Sequence, residues 1–354
     1  MERTSYIGQK IKAARKMRGW SLDDLCEELK KHNGVFAEKN VSKQTLSKYE
    51  RSVILPSGDT LLNIAHVFNL PTGFFLQPFK FTLDDAEYRK KTNLPKKELD
   101  KIKATIQDKL ERYFEIEEVC GIAQTPITKT KICTEEDVYA LAKQIRKQWN
   151  LGLDGIVNVI EEIEKYGIKI IDADTDNSFD GMSGNALNSG FMVLNKHFTP
   201  ERKRFTALHE LGHLLMNLEN FEHKNAESLC NLFASEMLLP RDVFISLLGE
   251  KRHNISLFEL RNIQSLFGIS VEGLMFKAHK EGIISGQRSK YFLVKKNTDP
   301  KFKSDVEKSL LKDEISQRQE RLVYQAFNNG IISSSRAAEL LNTDINTIRE
   351  LELV

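Results

Sequence analysis

Cysteine is scarce in this sequence: 354 residues hold only Cys26, Cys120, Cys133 and Cys230, scattered and without a CxxC pair. That spacing excludes a disulfide framework and a zinc ribbon, and reads as reduced thiols in a cytoplasmic protein. Any apolar run of the roughly 20 residues needed to cross a bilayer is also missing, so no membrane partner is expected. The opening MERTSYIGQKIK is polar, lacks an apolar stretch and gives no secretory signal. There is no internal repeat and no extended low-complexity tract. A charge excess of one sign is lacking too, with a formal net of +2. What is present, 40% hydrophobic and 29% charged residues, is the make-up of an ordinary soluble protein with two or three cores. The charge is unevenly spread, however. Residues 1–80 carry 13 Lys/Arg against 8 Asp/Glu, a net of +5 that suits a phosphate-binding face.

Four stretches follow from the hydrophobic periodicity. Residues 1–80 read as a cluster of short helices. Residues 81–133 are highly charged and hold one long amphipathic helix over 95–120, with Leu99, Ile102, Ile106, Leu110 and Tyr113 at helical spacing. That stripe could pack on the rest of the chain or zip two copies into a short coiled coil. A Thr/Pro/Lys tract at 124–131 reads as an exposed linker. Residues 134–290 alternate helices with strand-like runs at 168–171 and 190–194, and residues 291–354 return to charged helix, with Ser333–Ser335 capping a final pair. The fold class expected is mostly α with a small α+β part.

The first stretch has the chemistry of a major-groove reader. Ser21 caps a helix whose first turn holds Asp23 and Asp24, where the helix dipole favours them. A third helix starts at Ser42. Val41, Leu46 and Tyr49 point inward, which leaves Ser42, Lys43, Gln44, Ser47 and Lys48 outward near the helix start. Gln can bond an adenine edge in bidentate fashion, while Lys and Ser can reach guanine acceptors or phosphates. The stretch resembles the XRE (Cro/C1-type) helix-turn-helix family, over 7–76. Two features depart from the family pattern: Leu22 stands where Gln is usual, and the turn at 30–40 is enlarged. The bland reading is a helical bundle for dimerisation or protein contact.

Chemistry concentrates further on. His209-Glu-Leu-Gly-His213 lies in an apolar-periodic helix, so both imidazoles share one face and can meet one metal ion. Glu210 can lean over the open coordination position and act as general base, then return the proton to a leaving amine. A third ligand is needed. On the next helical segment Glu227 and Asn231 lie one turn apart, and Glu236 points elsewhere. Glu227 would complete a His2Glu site with one position open, as catalytic zinc requires. His223 competes for that role, but it is expected in a loop, and a helix fixes direction better. As oxyanion donors Tyr291, Arg288, His197 and Arg202 are candidates by type only. The run 180–184 (DGMSG) reads as a plain loop, with a second reading as the border of a substrate cleft.

These pieces stand in the order of the ImmA/IrrE metallopeptidase family, which the chain resembles over 134–290. They are GFMVLN at 190–195, RFTALHELGH at 204–213, Glu227 with Asn231 and Pro240, and the Gly268-Ile-Ser270 turn followed by GIIS at 282–285. Cys230 occupies the family's usual Ala position. The resemblance implies a gluzincin-like fold, zinc (with manganese as second choice) on His209, His213 and Glu227, and conditional activity against XRE-type repressors. The expected domains are thus a DNA-binding 1–80, a charged helix and linker at 81–133, a metallopeptidase at 134–290 and a C-terminal helical 291–354. The expected function is a cytoplasmic DNA-binding regulator, homodimeric on a double-stranded operator, whose peptidase cuts a repressor or itself under stress. The alternative is a non-proteolytic repressor or antitoxin whose peptidase-like part is a sensor or scaffold.

Overall fold

The computed structural model describes residues 5–32, 41–83, 87–92, 95–175 and 179–350. Most of the enlarged turn at 30–40 therefore lies outside the described residues. The chain divides into two compact units. One comprises Met1–Glu87, Asn93–Ala123 and Gln319–Val354; the other comprises Tyr88–Thr92 and Gln124–Arg318.

The first unit opens with α1 (Ser5–Met17), α2 (Leu22–Lys31), α3 (Lys43–Glu50) and α4 (Gly58–Phe68), followed by a 3-10 turn at Thr72–Leu76. Ser21, Ser42 and Ser57 each cap a helix, accepting from the backbone N–H of Asp24, Thr45 and Thr60. Such caps each contribute about 1 kcal/mol by satisfying an otherwise orphan donor. Asp24 returns a bond to the Ser21 N–H and completes a capping box. Ile11, Ala14, Leu25, Leu29, Leu46, Ile64, Phe68 and Phe75 form the core, with Trp20 stacked on Phe68 at 5.5 Å. Arg15 forks onto both oxygens of Glu50 at 2.6 and 2.8 Å, tying α1 to the end of α3.

Gly8 makes that crossing possible. A Cβ there would lie 2.2 Å from the Tyr49 carbonyl oxygen, which is backbone and cannot swing aside. Gly8→Ala is therefore expected to destabilise the unit by about 1–3 kcal/mol through forced overpacking. Denaturant unfolding followed by Trp20 fluorescence would measure it, and an unchanged midpoint would contradict the close approach.

The long helix appears as α5 (Lys96–Val119), with Ile102, Ile106, Leu110 and Tyr113 buried. It packs on α1 and on α16 (Ser334–Leu341), which follows α15 (Arg318–Asn328) and itself packs on α17 (Ile345–Glu350). Arg112 donates to the Leu340 carbonyl at 3.2 Å, and Arg336 pairs with Glu115.

The second unit centres on a four-stranded sheet in the order β1-β4-β5-β3. Its strands are β1 (Glu87–Thr92), β3 (Lys169–Ala173), β4 (Phe179–Ala186) and β5 (Ser189–Asn195); β2 (Thr130–Lys131) pairs separately with β6 (Met216–Asn217). β5 runs antiparallel to β4, with Gly181 opposite Leu194 and Ser183 opposite Met192, and parallel to β3. The sheet precedes a helical layer in which α8 (Pro200–Leu215) crosses β4 and β5 and packs on α9 (His223–Leu238). Around them stand α6 (Glu135–Gln148), α7 (Val159–Lys165), α10 (Arg241–Leu248), α11 (Leu257–Phe267), α12 (Val271–Lys280), α13 (Gly286–Thr298) and α14 (Pro300–Glu307). Proline at the first position of α8 presets its φ at no hydrogen-bonding cost.

Three local findings differ from the sequence-based expectation. The run 180–184 is the middle of β4, not a loop. Gly and Ser favour turns locally, but here burial between α8 and the neighbouring strands overrides that preference. The tract 124–131 is packed as well as exposed: Ile127 sits on the core, Gln124 accepts from Lys169 at 2.6 Å, and its last two residues form β2. Finally, Glu314, beyond α14, reaches back into this unit. It accepts from Arg204 of α8 at 2.8 Å and from the Val159 N–H at the start of α7 at 2.9 Å. Burial pushes the Glu314 carboxyl up, opposed by Arg204, and burial lowers the Arg204 guanidinium.

Candidate metal centre

α8 puts His209 and His213 one turn apart, and both are buried along with Glu210. Their Nε2 atoms are 3.2 Å apart. α9 lies across this face and delivers Glu227, whose Oε2 is 3.3 Å from His209 Nε2 and whose Oε1 is 3.2 Å from His213 Nε2. Three potential ligand atoms thus converge on one point.

The opposite ring nitrogens are engaged elsewhere. Asn231, one turn after Glu227, accepts from His209 Nδ1 at 2.8 Å, which assigns the proton to Nδ1 and leaves the Nε2 lone pair facing Glu227. Cys230 Sγ lies 3.3 Å from Nδ1 of His213. The thiol also stands within 4.8 Å of potential ligand atoms on both histidines. It faces the Nδ1 side of His213, away from the point where Glu227 converges.

Glu210 points toward the sheet. The Ser183 hydroxyl of β4 donates to its Oε2 at 2.6 Å. Gly181, on the same face of β4, has no side chain to keep α8 away: a Cβ would meet Thr206 Cγ2 at 3.2 Å and Glu210 Cγ at 3.6 Å. Ser183 is not among the sequence-based candidates because the Gly and Ser of its segment locally favour a loop. The period-2 placing of small residues at 181 and 183 beside a buried strand is the signal that could have found it.

The other named candidates fall elsewhere. His223 is the first residue of α9 rather than part of a loop; it is 78% exposed, with Nε2 3.8 Å from Glu227 Oε1. Glu236 is buried against Lys277 and the Arg241 N–H. His197 pairs with Asp174 on the surface, and Arg202 pairs with Asp180 over the Phe198 ring. Arg288 lies over Tyr291 on α13. In α3 of the first unit, Lys43, Gln44 and Lys48 are exposed and Ser47 half-buried, while Leu46 and Tyr49 are buried. Ser42 is the helix cap, and Lys43 pairs with Asp23 at 2.5 Å, an exposed contact that phosphate could replace at little cost.

Among the described residues no helix is long and apolar enough to cross a membrane. Residues 163–279 match the family model of the IrrE N-terminal-like domain, a peptidase family, and residues 11–75 match the helix-turn-helix model. No curated protein matches the chain. The first match covers β3 to α12, including both histidines, Glu210 and Glu227; the second covers α1 to the 3-10 turn. The chain therefore joins a helix-turn-helix domain to an IrrE N-terminal-like domain of metallopeptidase type.

Proposed function

We propose that the protein is a DNA-binding regulator carrying a zinc-dependent endopeptidase, and that the peptidase acts on a repressor of its own helix-turn-helix kind, including copies of itself. The observation that carries this reading is the convergence of His209 Nε2, His213 Nε2 and the Glu227 carboxylate at 3.2–3.3 Å. Ligands bonded tetrahedrally at about 2.0–2.1 Å stand roughly 3.3–3.4 Å apart, so the donor set fits zinc in both chemistry and spacing. Three protein ligands leave one position open, as catalysis requires. Manganese is a second candidate.

When bound there, zinc supplies Lewis acidity that polarises a peptide carbonyl and acidifies water. Glu210 receives the proton on its carboxylate and returns it to the leaving amine. Ser183, by donating to Glu210 Oε2, holds that carboxylate in one orientation. Asn231 keeps His209 in the tautomer that offers Nε2. Asn231→Ala is accordingly expected to weaken zinc binding about 10–100-fold, the usual loss when a ligand's supporting partner is removed. Competition against a chromogenic zinc chelator would read it, and an unchanged affinity would remove Asn231 from the site.

At the other end, α3 offers Gln44 and Lys48 to the major groove, with Lys43, Ser42 and Ser47 toward phosphates. A homodimer on a two-fold operator suits a single-helix reader of this kind. The whole reading is tested by incubating wild type and Glu210→Gln with zinc, alone and with a second helix-turn-helix repressor. New fragments in the wild-type reactions alone are expected, and their termini give the bond cut. Intact chains throughout would leave a regulator without a protease.

A further inference from the structure

The second unit holds a cavity of about 390 Å³ that the metal centre does not use. It lies between the start of α11, one face of α13 and the side of α14, and none of its lining residues belongs to α8 or α9. Its size is that of a small-molecule site. Arg288, Tyr291, Phe292 and Lys295 stand at i, i+3, i+4 and i+7 of α13, so a single helix face supplies all four. Phe292 is buried and meets Phe302 of α14 edge to face, with ring centroids 5.7 Å apart. Ile255 and Leu260, both buried, complete the apolar wall.

Charge sets this cavity apart. Two cations line it and no carboxylate does. The Arg288 guanidinium lies 5.0 Å from the centre of the Tyr291 ring and Lys295 Nζ lies 4.5 Å from that of Phe302, and neither cation has an ion-pair partner among the described residues. Arg288 Nε is also shut off from solvent with no hydrogen-bond partner, a costly arrangement for a donor. Acids of the flanking helices are engaged elsewhere. Glu272 and Glu307 pair with the next lysine, Lys296. Glu259 turns back onto Ser256 and Arg252, and Asp299 caps α14.

We propose that this cavity binds a small aromatic carboxylate, its ring among Tyr291, Phe292 and Phe302 and its anion on Arg288. A carboxylate offers two oxygens to the parallel N–H groups of a guanidinium, a match in shape as well as charge. The apolar wall and the rings take the body of the ligand, where burial supplies affinity and the single ionic contact fixes orientation. Lys295, two turns and about 10.5 Å further along the helix axis, adds a second attraction for the anion. The site does not depend on the peptidase reading and would hold in a chain that cuts nothing.

The test uses the full-length chain in zinc-containing buffer. The probes are para-fluorobenzoate and its neutral counterpart para-fluorobenzamide, both followed by fluorine NMR. Wild type is expected to bind the acid at least about tenfold more tightly than the amide, the usual margin of a hydrogen bond to a charged group. Arg288→Gln should erase that preference by weakening the acid alone. The substitution breaks no side-chain hydrogen bond, so the thermal midpoint should stay at the wild-type value. Tyr291→Ala, at a position 55% exposed, should weaken acid and amide alike and so tests the ring contact without touching the charge. In wild type, the acid should slow amide exchange over 255–260 and 288–295 and leave 209–213 unchanged. Equal affinity of wild type and Arg288→Gln for the acid would overturn the proposal, and that is also the result if the carboxylate goes to zinc instead. No binding by wild type, or protection confined to α8, would overturn it as well.

Discussion

Glu210→Gln is expected to lower the peptidase rate about 10²–10⁴-fold while leaving zinc bound, because it removes the proton acceptor and none of the ligands. The amide keeps the size of the carboxylate, and its oxygen can still accept from Ser183, so the buried pocket between α8 and β4 stays filled. Loss of fold is therefore not the cause of the fall, and thermal unfolding with and without zinc should show that. The decisive pair of measurements is zinc content by mass spectrometry and initial rate on a protein substrate. A variant as active as wild type would sink Glu210 as the base. A wild type with no activity to lose would favour a non-proteolytic regulator.

The second large effect belongs to Glu227. Glu227→Ala leaves two imidazoles on a buried face with no anion to balance the metal. Removing even a supporting partner costs a zinc site about 10–100-fold in affinity, so loss of a direct ligand should exceed that. The stabilisation that zinc confers on wild type, roughly 2.7 kcal/mol at a hundred times its dissociation constant, should shrink or vanish with it. Cys230→Ala is the matched control. Its thiol lies within reach of both histidines but on the Nδ1 side of His213. If Cys230 rather than Glu227 closes the site, the order of the two variants in a zinc titration will be reversed.

Much of this was legible without coordinates because helices declare themselves locally. Serine caps, a Gln and Lys pair at the start of α3, and histidines four residues apart are all short-range signals, and each appears on the helix expected of it. Glu227 and Asn231 could be grouped for the same reason, one turn apart on α9. What stayed hidden depends on distant partners. β4 is glycine- and serine-rich, and only burial against α8 makes it a strand. Nothing near Glu314 announces that it will seat against Arg204, which is 110 positions away. Likewise, the charged helices after residue 318 look like an independent tail, although Arg336 and Leu340 bind back to α5.

That return has a consequence for any cut made within the chain. Because Gln319–Val354 closes the unit that Met1–Glu87 opens, the stretch Gln124–Arg318 is an insertion held at both ends rather than a module hung from one. A single nick at either crossing, near 123 or near 318, would leave two polypeptides still joined through the other crossing and through folded contacts on α5. Denaturing gels would register the event at once, whereas size under native conditions would not change. Separating the two units would take two incisions and, in addition, release of β1 from its place beside β4.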